Sequence, residues 1–169
     1  MKHALLSFFL IALLLAGCVF EAPLATEHTI AIDNSVLGLW EEIPEEGKDP
    51  SQVKQMTILK FSDTEYLLHY PNTTEGIYYR AYPIEVGGIS CVQIQAIGTG
   101  EGPMENENKN RFHVITYQIK NGQLEVRAIN TTLIDENLKT TSELQQAFLK
   151  HKDNPALFGE PGMYHKAEK

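Results

Sequence analysis

The sequence predicts a mainly β fold, an antiparallel meander closing into a small β-barrel with one C-terminal helix packed on it. Three observations carry that expectation. Short runs of β-branched and aromatic residues recur between residues 37 and 130, parted by Gly, Pro, Asn and Asp clusters. Asn121-Gly122 sits between two such alternating runs and is a strong hairpin signal, because both turn positions take φ > 0. Beyond residue 140 the alternation gives way to helical spacing. Strands first and a helix last suit a meander, and closing it removes the exposed edges.

Taken in order, Leu37-Gly38-Leu39-Trp40-Glu41-Glu42-Ile43 alternates as the first strand, followed by a loop with Pro44 and Pro50. Met56 to Phe61 and Tyr66 to Tyr70 read as the second and third, joined by a turn at Ser62-Asp63. Ile77 to Tyr82 is strongly β-prone and is ended or bulged by Pro83. Val86-Gly87-Gly88 closes a hairpin into Ile89 to Ile97, and residues 98–110 form a polar loop. Phe112 to Ile119 and Leu124 to Asn130 flank the Asn-Gly turn. A helix opens near Thr141, with Ser142 as its expected N-cap, and runs to about Lys152. Leu144 and Phe148 share its apolar face, and Asp153-Asn154-Pro155 stops it. Leu157-Phe158 form a small apolar plug, and Met163-Tyr164-His165 is a short closing strand.

The start of the chain follows a different logic. Met1-Lys2-His3 is a short positive segment, and Ala4 to Ala16 is an uncharged apolar run of thirteen residues. A membrane-spanning helix needs about 20 such residues, so the run has the length of an export signal and not of a span. Leu15-Ala16-Gly17-Cys18 resembles the lipobox of bacterial lipoproteins. That resemblance implies cleavage after Gly17, diacylglyceryl transfer to the Cys18 thiol and, commonly, acylation of the new amino terminus. Val19 follows the cysteine in place of aspartate, which by the same resemblance favours the outer membrane facing the periplasm. The chain then divides into a signal peptide at 1–17, a lipidated cysteine and flexible tether at 18–35, and a single barrel domain with its helix at 36–169.

Loss of residues 1–17 leaves 152 residues with thirteen basic and twenty-two acidic side chains, a net charge of −9. An acidic domain of this kind repels phosphates, which argues against nucleic acid as a partner. With Cys18 taken by the lipid, Cys91 has no disulfide partner and is expected in the apolar interior.

Gly38-Leu39-Trp40 on the first strand resembles the Gly-x-Trp of lipocalins and related small barrels. The resemblance implies a lipocalin-like barrel with Trp40 at its closed end, near Arg127 or Arg111. Tyr78, Arg80 and Tyr82 share one face of their strand, since side chains alternate. Facing a cavity, two phenols and a guanidinium would hold an anionic ligand head, and with Trp40 they are the candidate ligand-binding residues. Facing outward, they would leave Ile77, Tyr79 and Ala81 to line the interior.

Other chemistry is thin. The six histidines lack metal-site spacing, so no metal is expected. Gly98-Thr99-Gly100-Glu101-Gly102 lacks the lysine and following helix of a phosphate loop, so no cofactor is expected either. Cys91 and His113 are the one nucleophile-and-base pairing available, and apolar neighbours around Cys91 argue against it. The sequence therefore points to a non-enzymatic, membrane-anchored envelope lipoprotein that binds a small hydrophobic or amphipathic ligand or has a structural role. The alternative is a docking module that engages an envelope protein through the loops at residues 41–49 and 98–110. A hydrolytic or redox enzyme built on Cys91 or His113 ranks last.

Overall fold

Alternate residues of eight antiparallel strands turn toward one shared interior, and the sheet they form closes on itself. The computed structural model describes residues 20–44, 53–71, 73–105 and 110–167; the signal segment and Cys18 lie outside the described residues. The strands are β1 (Gly38–Glu42), β2 (Gln55–Lys60), β3 (Tyr66–Tyr70), β4 (Ile77–Val86), β5 (Ile89–Thr99), β7 (Phe112–Lys120), β8 (Gln123–Ala128) and β9 (Gly162–Lys166). Each pairs with the next, β5 pairs with β7, and β9 returns to β1 with Glu42 opposite Tyr164. The two-residue β6 (Gly102–Pro103) folds back on the end of β5. This is the lipocalin-like closed barrel, with one helix, α1 (Thr141–Lys150), packed on it.

Local chemistry explains the elements. Asn121 and Gly122 both take positive φ, 54° and 76°, and set the β7–β8 register from Lys120 opposite Gln123. β4 continues through Pro83 to Val86, beyond the expected end at Tyr82. It pairs with β3 only as far as Ala81, so Pro83 needs a partner on the β5 side alone. The helix N-cap is Thr140 and not Ser142. Thr140 is the extended residue whose hydroxyl accepts the Glu143 N–H, while the Glu143 carboxylate accepts the Thr140 N–H at 3.1 Å.

Two apolar layers share one sheet. Trp40, Ile58, Leu68, Ala81, Ile94 and Leu124 fill the barrel interior. On the outside of β4, β5 and β7, a second cluster joins Ile84, Cys91 and Val114 to Leu144 and Phe148 of α1, both fully buried. Burial on both faces is why these strands read as nearly continuous apolar runs. Each fully buried side chain of the helix contributes about 1.5–3 kcal/mol.

The stretch read as a free tether departs most from expectation. From Phe20 onward it is a strap lying on the barrel wall. Phe20, Ala22, Leu24, Ile32 and Val36 are buried. Phe20 and Phe112 exchange backbone hydrogen bonds at 2.8 and 2.9 Å, and the Ile32 N–H donates to the Asp63 carbonyl. Apolar residues placed every few positions bury on a wall that is itself apolar, which outweighs the entropy of a free chain.

The strap ends by shutting one end of the barrel with a 3-10 turn, Asn34–Val36. The Asp33 N–H donates to the Tyr66 hydroxyl oxygen at 2.7 Å, and the Asp33 carboxylate accepts from the Tyr117 hydroxyl at 3.4 Å. The Trp40 indole N–H donates to the Val36 carbonyl at 2.7 Å. The cation over the Trp40 ring is Lys166, 5.4 Å from its centroid, and not Arg127 or Arg111. Arg127 projects outward to Glu125, and Arg111 is exposed.

Candidate functional site

The barrel interior holds an apolar void of about 50 Å³, walled by Val36, Ile58, Leu68, Val92, Ile94, Ile115, Leu124 and Val126 among others. Its composition follows from strand parity: the inward positions of β5 and β8 are aliphatic, β2 gives Met56 and Ile58, and β3 gives Leu68 between Tyr66 and Tyr70. A space of this size holds only a few heavy atoms, so a larger guest must displace side chains. Met56 lines the void and Met104 packs against the interior cluster. Both are unbranched and adapt their rotamers at low cost.

Away from the closed end, the interior changes character. Tyr70, Tyr79 and Tyr164 gather there with His113, and Glu42 lies close enough to act on Tyr70 and Tyr164. Tyr79 and His113 meet edge to face at 6.3 Å. Burial pushes the Tyr79 phenol up to about 12, with Tyr70 adding to it. Burial likewise raises Tyr164, helped by Tyr70 and the Glu42 charge. These phenols stay protonated at neutral pH; Tyr164, hydrogen-bonded with Tyr70, lines the apolar void, and Tyr79 packs in the same interior cluster. That pairing suits a small guest with an apolar tail and a neutral, hydrogen-bond-accepting head.

Of the residues singled out from sequence, Trp40 is inside, at the closed end. Tyr78, Arg80 and Tyr82 are on the outer wall, so they do not form the expected anion site. Tyr78 stacks on His69 at 4.2 Å. The Arg80 guanidinium donates to the nearly buried Glu65 carboxylate, which His28 of the strap also meets at 3.1 Å. Tyr82 is buried beneath the strap, and its hydroxyl accepts from the Gln93 amide. Arg80 and Tyr82 do meet, at 5.7 Å, but under the strap and away from the void.

Cys91 and His113 lie on opposite faces of the sheet. Cys91 belongs to the outer layer, where burial pushes its thiol up to about 12, while His113 faces the interior. Among the described residues, no three His, Cys, Asp or Glu side chains converge on a metal position.

Sequence reasoning weighed the outward phase of β4 but did not carry it to Tyr70, Tyr79 and Tyr164. The signal available was the shared parity of Ile77, Tyr79 and Ala81 with Tyr66, Leu68 and Tyr70 on the neighbouring strand.

Among the described residues, the two most exposed large apolar side chains are neighbours on the surface. Leu59 and Phe61 are 51 % and 64 % exposed at the β2–β3 turn, and Leu59 faces Leu67 across the strands. Comparison with family models, with curated proteins and with solved structures returned no match.

Proposed function

We propose that this chain is a lipid-anchored envelope protein, held to the membrane through Cys18, whose barrel binds a small amphipathic ligand. The supporting observation is the apolar void lined by Tyr164, with the protonated phenol of Tyr79 in the same interior cluster, within a closed barrel. The anchor reading rests on Leu15-Ala16-Gly17-Cys18, with Val19 favouring the outer membrane. The acidic surface keeps nucleic acid out of the account and keeps a crowded membrane-bound domain soluble.

The test is native mass spectrometry of the full-length protein extracted from membranes. A co-purifying small molecule, lost on Tyr79→Phe with Tyr164→Phe, is the expected result. A bare protein mass that shifts with no apolar or amphipathic small molecule would overturn it. Mass analysis of the N-terminal peptide reads the lipid separately, and an unmodified Cys18 thiol would remove the anchor.

A second reading, docking to an envelope protein, is favoured by the exposed Leu59 and Phe61 beside Leu67. Phe61→Ser would then abolish cross-linking to that partner in membranes while leaving the bound small molecule in place.

A further inference from the structure

Cys18 precedes the fully buried Phe20 by two residues. A trans chain advances at most about 3.6 Å per residue, so the anchor lies within roughly 7 Å of Phe20 along the chain. Phe20 itself is fixed by both backbone groups to Phe112, the first residue of β7. β7 begins at the phenolic end and runs toward Tyr117, which bonds Asp33 at the closed end. From Phe20 the strap passes Gln93, then Glu65, and finishes over Tyr66.

We propose that the barrel rests directly on the bilayer with its phenolic end down and the end closed by the Asn34–Val36 turn pointing away. The inference rests on the reading of Cys18 as lipidated and concerns the surface that the lipid brings into contact. A free tether would let the barrel tumble. A strap latched at Phe20, Leu24, Ala25 and His28 leaves only a two-residue link and couples the anchor to one end of the fold. The stacked pair of Tyr78 and His69 lies on the outer wall toward that same end, and amphipathic rings suit the head-group layer. Phe61, at the β2–β3 turn beside the closed end, then faces away from the membrane.

Charge sets which lipid the contact tolerates. Among the described residues, the loops joining β1 to β2, β3 to β4, and β5 to β7 carry Glu75, Glu101 and Glu105 against Lys54 and Arg111. Zwitterionic head groups accept such a rim, whereas anionic ones repel it across a Debye length of about 10 Å at 0.1 M salt.

The test uses the full-length lipidated protein in phosphatidylcholine vesicles carrying a head-group acceptor dye. Donor dyes are placed at Glu75→Cys, near the phenolic end, or at Lys120→Cys, near the closed end; buried Cys91 stays unlabelled. Several-fold more efficient transfer from position 75 is expected. Equal transfer, or more from position 120, would overturn the orientation. Ten Gly/Ser residues inserted between Val19 and Phe20 should erase the difference, and a difference that survives would overturn the short link as its cause. The mass of the N-terminal peptide is read on the same sample, so a missing lipid is told apart from a wrong orientation.

Discussion

Gln93 and Ala25 are joined twice: the Gln93 side-chain amide donates to the Ala25 carbonyl at 3.0 Å and accepts the Ala25 N–H at 3.1 Å. The same oxygen accepts the Leu24 N–H at 2.6 Å, and the same nitrogen donates to the Tyr82 hydroxyl. A fully buried glutamine on the outer wall thus stands in for a neighbouring strand, giving an irregular segment the backbone partners it would otherwise lack. Gln93→Leu leaves those groups without partners. Each such group costs about 1–3 kcal/mol when it stays buried, and release of the strap to water limits the total to about 2–4 kcal/mol. Urea unfolding reads the loss, and limited proteolysis should cut first between residues 20 and 33. An unchanged urea midpoint would remove Gln93 as the clamp.

Glu65 links strap and barrel through charge. The hydrogen bond from Arg80, with the charges of Arg80 and His28 and against the pull of burial, holds its carboxyl below the ordinary 4.5. A carboxylate lowered on folding stabilises fully above its unfolded value, and the benefit is lost as pH falls through the folded value. The urea midpoint should therefore fall more steeply below pH 4.5 in the parent protein than in Glu65→Gln; parallel acid limbs would contradict this. Arg80→Met should cost more at pH 7 than Glu65→Gln, by about 1–3 kcal/mol, because it leaves a nearly buried carboxylate without its main partner. The half-exposed position of Arg80 keeps that figure modest.

How much of this was legible in the sequence depends on which force decides each feature. Strand phase and the Asn121-Gly122 turn are local, so the meander and its helix could be read directly. Barrel parity is not local: whether Tyr78 or Tyr79 faces inward depends on which side of β4 closes around Trp40. The strap is the sharpest case. Phe20, Leu24 and Ile32 lack a period because they follow grooves between side chains of other strands, and Gln93 lies far from them in the chain. The inward tyrosines escaped notice for the same reason, since they come from three strands that only closure brings together.

Cys91 offers a test of the outer layer. With its thiol pushed up to about 12 by burial, it carries almost no thiolate at pH 8. Maleimide should leave it unmodified in the folded protein and modify it fully in urea. Phe148→Ala, which costs about 3–5 kcal/mol and opens the helix contact, should speed that labelling by at least tenfold. Fast labelling of the parent protein would place the thiol at the surface and undo the assignment of the outer layer.

The interior void gives the most direct discrimination between a filled core and a binding site. Val126 lines it and points inward from β8. Val126→Ile adds one methylene to a space of about 50 Å³, so it should stabilise the protein by up to about 0.8 kcal/mol in place of straining it. The same methylene takes volume from the guest. A bound small molecule seen by native mass spectrometry should then fall in occupancy while the thermal midpoint of the ligand-free protein rises. A rise in midpoint with occupancy unchanged would place the ligand elsewhere, at the phenolic end or on the outer wall. A fall in midpoint would show the interior to be already packed tight, because overpacking costs about 1–3 kcal/mol. The void would then be a packing defect, and the phenols of Tyr70, Tyr79 and Tyr164 would serve to satisfy one another at the barrel end.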